Sequence, residues 1–198
     1  MRSLPASLER VLLFIGVAGL WAAAYLGTAA FNLSRAPRVL LWDPVWSFPF
    51  VGAFVIPYLS AYALPFIAAF AIRGRAAYRR FAAVVAGTIA FSAACFMLWP
   101  LTITRPEIGL ASFSDRLLGA LYAADRPTNL FPSLHVSLSF LFALAVGHAR
   151  PRLRPWMIAW AALIAVSTLF TRQHYLVDVV AGVAVAWAGW GIFRKSEK

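Results

Sequence analysis

Apolar and polar positions in this chain fall into long blocks. Six apolar runs, at residues 11–31, 44–72, 81–103, 132–147, 155–170 and 174–193, are separated by connectors that hold most of the charged side chains. Several runs carry no Asp, Glu, Lys or Arg over about 20 residues, the length a helix rising 1.5 Å per residue needs to cross roughly 30 Å of hydrocarbon. The pattern predicts an all-α polytopic membrane protein, with six transmembrane helices in one bundle forming a single integral membrane domain over residues 1–198. The first run has the basic start and small residues (22–24) of a cleavable leader, but its apolar stretch continues past the would-be cut, so it reads as a spanning helix. In the second run Pro49, Pro57 and Pro65 predict kinks that neighbouring helices must support. The third connector, residues 105–128, is the long one. Leu110, Phe113, Leu117, Leu118 and Leu121 recur there at helical spacing. This predicts an interfacial helix lying on the outer leaflet, with a short helix packed against the bundle as the alternative. No internal repeat or low-complexity segment marks a second domain.

Composition agrees with lipid as the solvent. Hydrophobic residues make up 62% of 198 positions and charged residues 13%, against about 25% charged in a soluble domain. A net charge of +11 would point to nucleic acid in a soluble protein. Here the basic residues sit between apolar runs, and no nucleic-acid partner is expected. Twelve of the eighteen lie in the two tails and in the second and fourth connectors, among them Arg2, Arg10, Arg75, Arg79, Arg150 and Lys198. With acids subtracted those segments hold +10, against +1 for the alternate connectors. The positive-inside tendency then places both termini in the cytoplasm and connectors one, three and five on the far side, which for a cell (inner) membrane is the periplasm or exterior. Cys95 is the only cysteine, so no disulfide, thiol redox pair or cysteine metal site is available.

Ionisable groups in spanning segments are costly and therefore mark functional candidates. His135 falls in the first turn of the fourth run, and His174 and Asp178 fall in the first turns of the sixth. Both runs enter from the outer side, so their positive N-terminal ends share one face and are expected to hold an anion. Asp178, four residues after His174, lies on the same helical face and can orient that imidazole, leaving its other nitrogen as a nucleophile. His135 can then act as general acid. Arg172 and Arg105 supply guanidinium forks suited to phosphoryl oxygens, although either can equally be a snorkelling interface anchor. No metal or other cofactor is required. His148, beside Arg150, belongs to the opposite end of its helix and takes no catalytic role. Two other classes fit part of the pattern. A bis-histidine haem protein leaves Asp178 and the arginines unexplained, and a transporter would use an outward anion site at the helix ends.

These residues resemble the type 2 phosphatidic acid phosphatase superfamily, six-span enzymes with three motifs on one membrane face. Asp125-Arg-Pro-Thr-Asn-Leu-Phe-Pro-Ser-Leu-His135 is similar to the second motif, and Thr171-Arg-Gln-His-Tyr-Leu-Val-Asp178 to the third. Arg105-Pro106 is similar to the end of the first. The resemblance implies that His174 is the nucleophile, His135 the acid, Asp178 its support, and that Ser133 and Arg172 touch phosphate. Three positions depart from the common pattern. Leu98 stands where the first motif has lysine, a contact that Arg126 is placed to replace. Leu134 stands where the second has glycine, and Arg172 is two residues before the histidine instead of six. These forms are similar to the inositol phosphorylceramide and sphingomyelin synthase branch. The resemblance thus implies a lipid phosphatase acting on a phosphomonoester or diphosphate at the outer face through a phosphohistidine, with headgroup phosphotransfer as the alternative.

Overall fold

Proline, glycine and short polar side chains cut the apolar runs into elements. The computed structural model describes residues 4–109 and 111–195. Leu110, Arg2 and Lys198, used above, lie outside them. Eight α-helices are found among the described residues, with no strand: α1 (Ala6–Leu33), α2 (Val55–Ser60), α3 (Leu64–Ala71), α4 (Arg75–Leu98), α5 (Phe113–Ala124), α6 (Leu134–Ala149), α7 (Arg154–Phe170) and α8 (Leu176–Lys195). Each boundary has a local cause. Gly74, at φ 84°, turns the chain between α3 and α4 in a region L side chains avoid. Pro100 follows the end of α4. Ser112 and Asp115 form a reciprocal capping box that starts α5, and the Ser133 hydroxyl accepts from Val136 N–H at the start of α6.

Among the described residues five stretches are long and apolar enough to cross a membrane: Ala6–Leu33, Gly52–Ala71, Arg75–Leu98, Pro151–Phe170 and Leu176–Lys195. Helix α6 is apolar but shorter, at 16 residues. It occupies the centre, packing on α7, α8, α3 and α4. Its contact with α8 is close because Gly182 has no side chain: a Cβ there would lie 2.7 Å from the Ser133 carbonyl oxygen. Helix α1 sits at the edge against α4. Large apolar side chains point outward from the bundle, including Phe70 (83% exposed) and Leu98 (82%), as expected of a surface in contact with acyl chains. At one end of the bundle Glu9 of α1 pairs with Arg75 and Arg79 of α4, and Arg10 donates to the Ala69 carbonyl at 2.6 Å.

Several boundaries differ from the hydropathy reading. The 44–72 run is not one helix. Residues Pro44–Ser47 form a separate 3-10 turn, and the stretch from Gly52 passes through 3-10, α, 3-10 and α segments, Pro65 opening α3. The third run starts earlier, at Arg75, and stops at Leu98. Beyond it Leu101 pairs with Arg38 of the first connector as an isolated bridge. The sixth helix begins at Leu176, so His174 precedes it while Asp178 lies in its first turn. Helix α5 does form in the long connector, with Phe113 exposed and Leu118 fully buried, and packs against the Gly52–Phe54 turn and α2.

Candidate active site

The N-termini of α6 and α8 are tied together by backbone. The Ser133 N–H donates to the Asp178 carbonyl at 3.0 Å, and Gly182 lets the two helices approach at that level. That crossing brings the two histidines to one cavity of about 540 Å³, whose walls include His135, His174, Tyr58, Tyr25, Asp125 and Asn129.

His174 is fixed from one side. Its Nδ1 lies 3.4 Å from Asp178 Oδ2. The same carboxylate oxygen accepts from Tyr175 N–H at 2.9 Å, so it also closes the first turn of α8. Asp178 is fully buried, and its Oδ1 has no hydrogen-bond partner among the described residues. A carboxylate on Nδ1 sets the tautomer that leaves Nε2 with its lone pair. His135 is fixed differently. Its Nε2 donates to the Tyr58 carbonyl at 3.0 Å. Its ring stacks on the Tyr58 ring at 4.0 Å between centroids with 6° between planes, and Tyr62 meets it edge-on at 6.0 Å. The α2 segment is thus a second wall for the imidazole.

The N-terminal end of α8 does not offer the open anion site expected from the sequence. Asp43 from the first connector is 2% exposed. Its Oδ1 accepts from Leu176 N–H at 2.9 Å and its Oδ2 from Val177 N–H at 3.1 Å. Oδ1 also accepts from Val45 N–H at 2.9 Å. Together with Asp178 it fills the free N–H groups of α8, because a carboxylate is the natural partner of those donors and of the positive helix end.

None of the four phosphate contacts expected from the sequence, Arg172, Arg105, Ser133 and Arg126, lines the cavity. Arg172, at φ 50°, donates through Nη1 to the Val45 carbonyl and through Nη2 to the Phe48 carbonyl, the latter at 2.7 Å. Burial pulls its pKa below the usual arginine value. Arg105 donates to the Asp125 carbonyl and to Gln173 Oε1, and its guanidinium lies 4.5 Å over the Tyr122 ring. Burial raises that phenol to about 12, so it stays neutral, and its O–H donates a hydrogen bond to the Thr171 carbonyl at 2.6 Å. Ser133 is fully buried as the α6 cap, and Arg126 is exposed. Two buried donors, Nε2 of Gln173, the chain neighbour of His174, and Nε of Arg105, which bonds Gln173, have no acceptor among the described residues.

Sequence reasoning missed Asp43, Tyr58 and Gln173. Asp43-Pro44 carries a cap signature, but nothing local indicates that it caps a helix more than 130 residues away as well as its own turn. Replacing Asp43 with alanine removes the acceptor of three N–H groups, that of Val45 buried and those of Leu176 and Val177 partly buried. It is expected to destabilise the protein by about 1–3 kcal/mol and to speed hydrogen exchange at Leu176 and Val177 in the detergent-solubilised protein. Unchanged exchange at both amides would show that the cap contributes nothing.

The family model described as the PAP2 superfamily matches residues 43–192. An uncharacterized protein of Methanocaldococcus jannaschii is 45% identical over 58 residues, 29% of this chain and 24% of its own. The inositol phosphorylceramide synthase catalytic subunit of Saccharomyces cerevisiae is 35% identical over 85 residues, 40% of this chain and 21% of its own. Its Schizosaccharomyces pombe namesake is 33% identical over 84 residues, 39% and 20%. The chain thus spans less than a quarter of the length of these relatives. No solved structure matches it.

Proposed function

Because the chain belongs to the PAP2 superfamily, we propose that it is a six-span membrane enzyme that removes phosphate from a lipid phosphomonoester or diphosphate at the extracytoplasmic face. Here α6 completes the span count, both termini are cytoplasmic, and α5 lies at the outer interface. The observation that carries this reading is the placing of two imidazoles, one from the first turn of α6 and one from the segment leading into α8, on one cavity, the second backed by a buried carboxylate.

The reaction has two steps. His174 Nε2 attacks phosphorus, forming the P–N bond as the P–O bond to the lipid breaks. His135 gives a proton to the departing oxygen, and Asp178 stabilises the imidazolium character gained by His174. Water then attacks phosphorus, His135 takes its proton, and the P–N bond breaks to free His174 and inorganic phosphate. Catalysis of this kind rests on positioning and on neutralising the equatorial oxygens. Arg105 and Gln173 hold unpartnered buried donors for that purpose. Arg172 engages Val45 and Phe48 through two of its five N–H groups, which leaves others for phosphate. Ser133 and Arg126 complete the set.

A second reading is supported by the resemblance to the two inositol phosphorylceramide synthase subunits. An alcohol acceptor in place of water would make the protein a lipid headgroup phosphotransferase with the same first step. The two separate in one assay, in which purified protein receives phosphate-labelled lipid with and without a panel of lipid alcohols. Hydrolysis predicts label in inorganic phosphate regardless of acceptor. Label moving mainly into a new lipid would overturn it in favour of transfer.

A further inference from the structure

The cavity that holds the histidines is far larger than a phosphate requires. Its walls descend from Tyr25, Asp125, Asn129 and His135 at one end to Leu13, Phe14, Tyr78 and Phe142 at the other. Along α1 the lining runs from Leu13 to Leu26, about 20 Å at 1.5 Å per residue. Half of a hydrocarbon core is only about 15 Å. Below the polar rim the walls are aliphatic and aromatic, with alanines 18, 61, 69 and 82 keeping the channel open.

Two features bound this space. Between α1 and the α2–α3 segment the wall is bridged by aromatic pairs, Trp21 with Tyr62 and Phe14 with Phe66 at 6.4 and 5.2 Å between centroids. Leu26, Tyr62 and Phe66, which line the cavity there, are also exposed on the surface that faces the bilayer. At the far end the surrounding helices are tied together. Arg10 lies 4.5 Å over the Tyr78 ring and donates to the Ala69 carbonyl, and Glu9 ties α1 to Arg75 and Arg79 of α4 just beyond.

We infer that this cavity is a tail gauge: it takes the apolar tail of the phosphorylated donor, threads it past the bilayer midplane, and favours tails long enough to reach toward the Arg10–Tyr78 floor. The inference rests on the lipid-phosphatase reading and adds the class of donor, a lipid phosphate whose tail outreaches one leaflet's half of the hydrocarbon. A polar or short-chain phosphate would leave most of the channel empty of substrate and gain none of its packing.

The test uses the full chain in mixed micelles and a series of lipid phosphates with one headgroup and increasing tail length. The readout is the ratio of kcat/KM for a long-tailed over a short-tailed donor, so that a general loss of folding or catalysis cancels. In the wild type the ratio rises with tail length until the tail matches the channel. In Ala82→Phe, which narrows the channel from α4, and in Ala18→Phe, which does so from α1, the ratio falls about tenfold, the low end of what one methylene is worth in an apolar pocket. A wild-type ratio near unity, or both variants retaining the wild-type ratio, would overturn the gauge while leaving the phosphatase reading in place. A wild type that turns over no donor of any length would overturn the underlying reading itself.

Discussion

Replacing His174 with alanine is expected to abolish phosphate release, by on the order of 10⁵-fold, because the proposed mechanism has no second group to form the bond to phosphorus. The fold should survive. His174 lies ahead of α8, and the first turn of that helix is held by Asp43 and Asp178 through Tyr175, Leu176 and Val177 backbone N–H groups, none of which uses the imidazole. The variant should therefore unfold near the wild-type temperature while losing an acid-labile phosphoprotein that forms when wild-type enzyme is mixed with labelled lipid phosphate and quenched in base. Two measurements make this sharp. If His174→Ala keeps substantial turnover, nucleophilic catalysis at this position is wrong. If turnover is lost and no phosphoprotein forms even in the wild type under rapid quench, a direct attack by water, with His174 as base, replaces it.

The parts of this picture that were legible in the sequence are those set by periodicity and by short-range chemistry. The apolar runs announced the helices because lipid admits no unsatisfied backbone. His174 and Asp178 announced themselves as a pair because four residues bring side chains together, although the helix begins only at Leu176 and the pairing occurs as the chain enters it. His135 was legible as a first-turn residue of α6. What stayed hidden depends on contacts between distant segments. Asp43 is one of seven acidic residues in the sequence, with nothing local to single it out, yet it occupies the α8 end where the helix pattern places an anion. Tyr58 belongs to a proline-rich run whose break into 3-10 and α segments follows from tertiary support, and only that break places its ring and its carbonyl on His135. Arg172 was legible as a cation but not as a clasp on the first connector, because the carbonyls of Val45 and Phe48 carry no side-chain signature.

Removing His135 should cost less than removing His174, and in a way that depends on the leaving group. General-acid catalysis contributes about 10²–10⁴-fold, and that loss is expected for His135→Ala with a lipid alkoxide as the departing oxygen. In the proposed mechanism the contacts of His135 also select the nitrogen that would carry the exchanging proton. Nε2 is held by the Tyr58 carbonyl and the ring is stacked on Tyr58, so the imidazole cannot turn without losing both contacts, and Nδ1 is the nitrogen left to serve the substrate. A phosphate ester with a more acidic leaving group, such as an aryl phosphate, needs no proton in the first step. With it the phosphohistidine should form at a near wild-type rate in His135→Ala, while its hydrolysis stays slow because the same imidazole activates water in the second step. The variant should then show a burst of aryl alcohol equal to the enzyme present, followed by a slow steady state, where the lipid substrate shows neither. Equal losses of first-step rate for aryl and alkyl esters would remove His135 from the role of proton donor and leave it a structural partner of Tyr58.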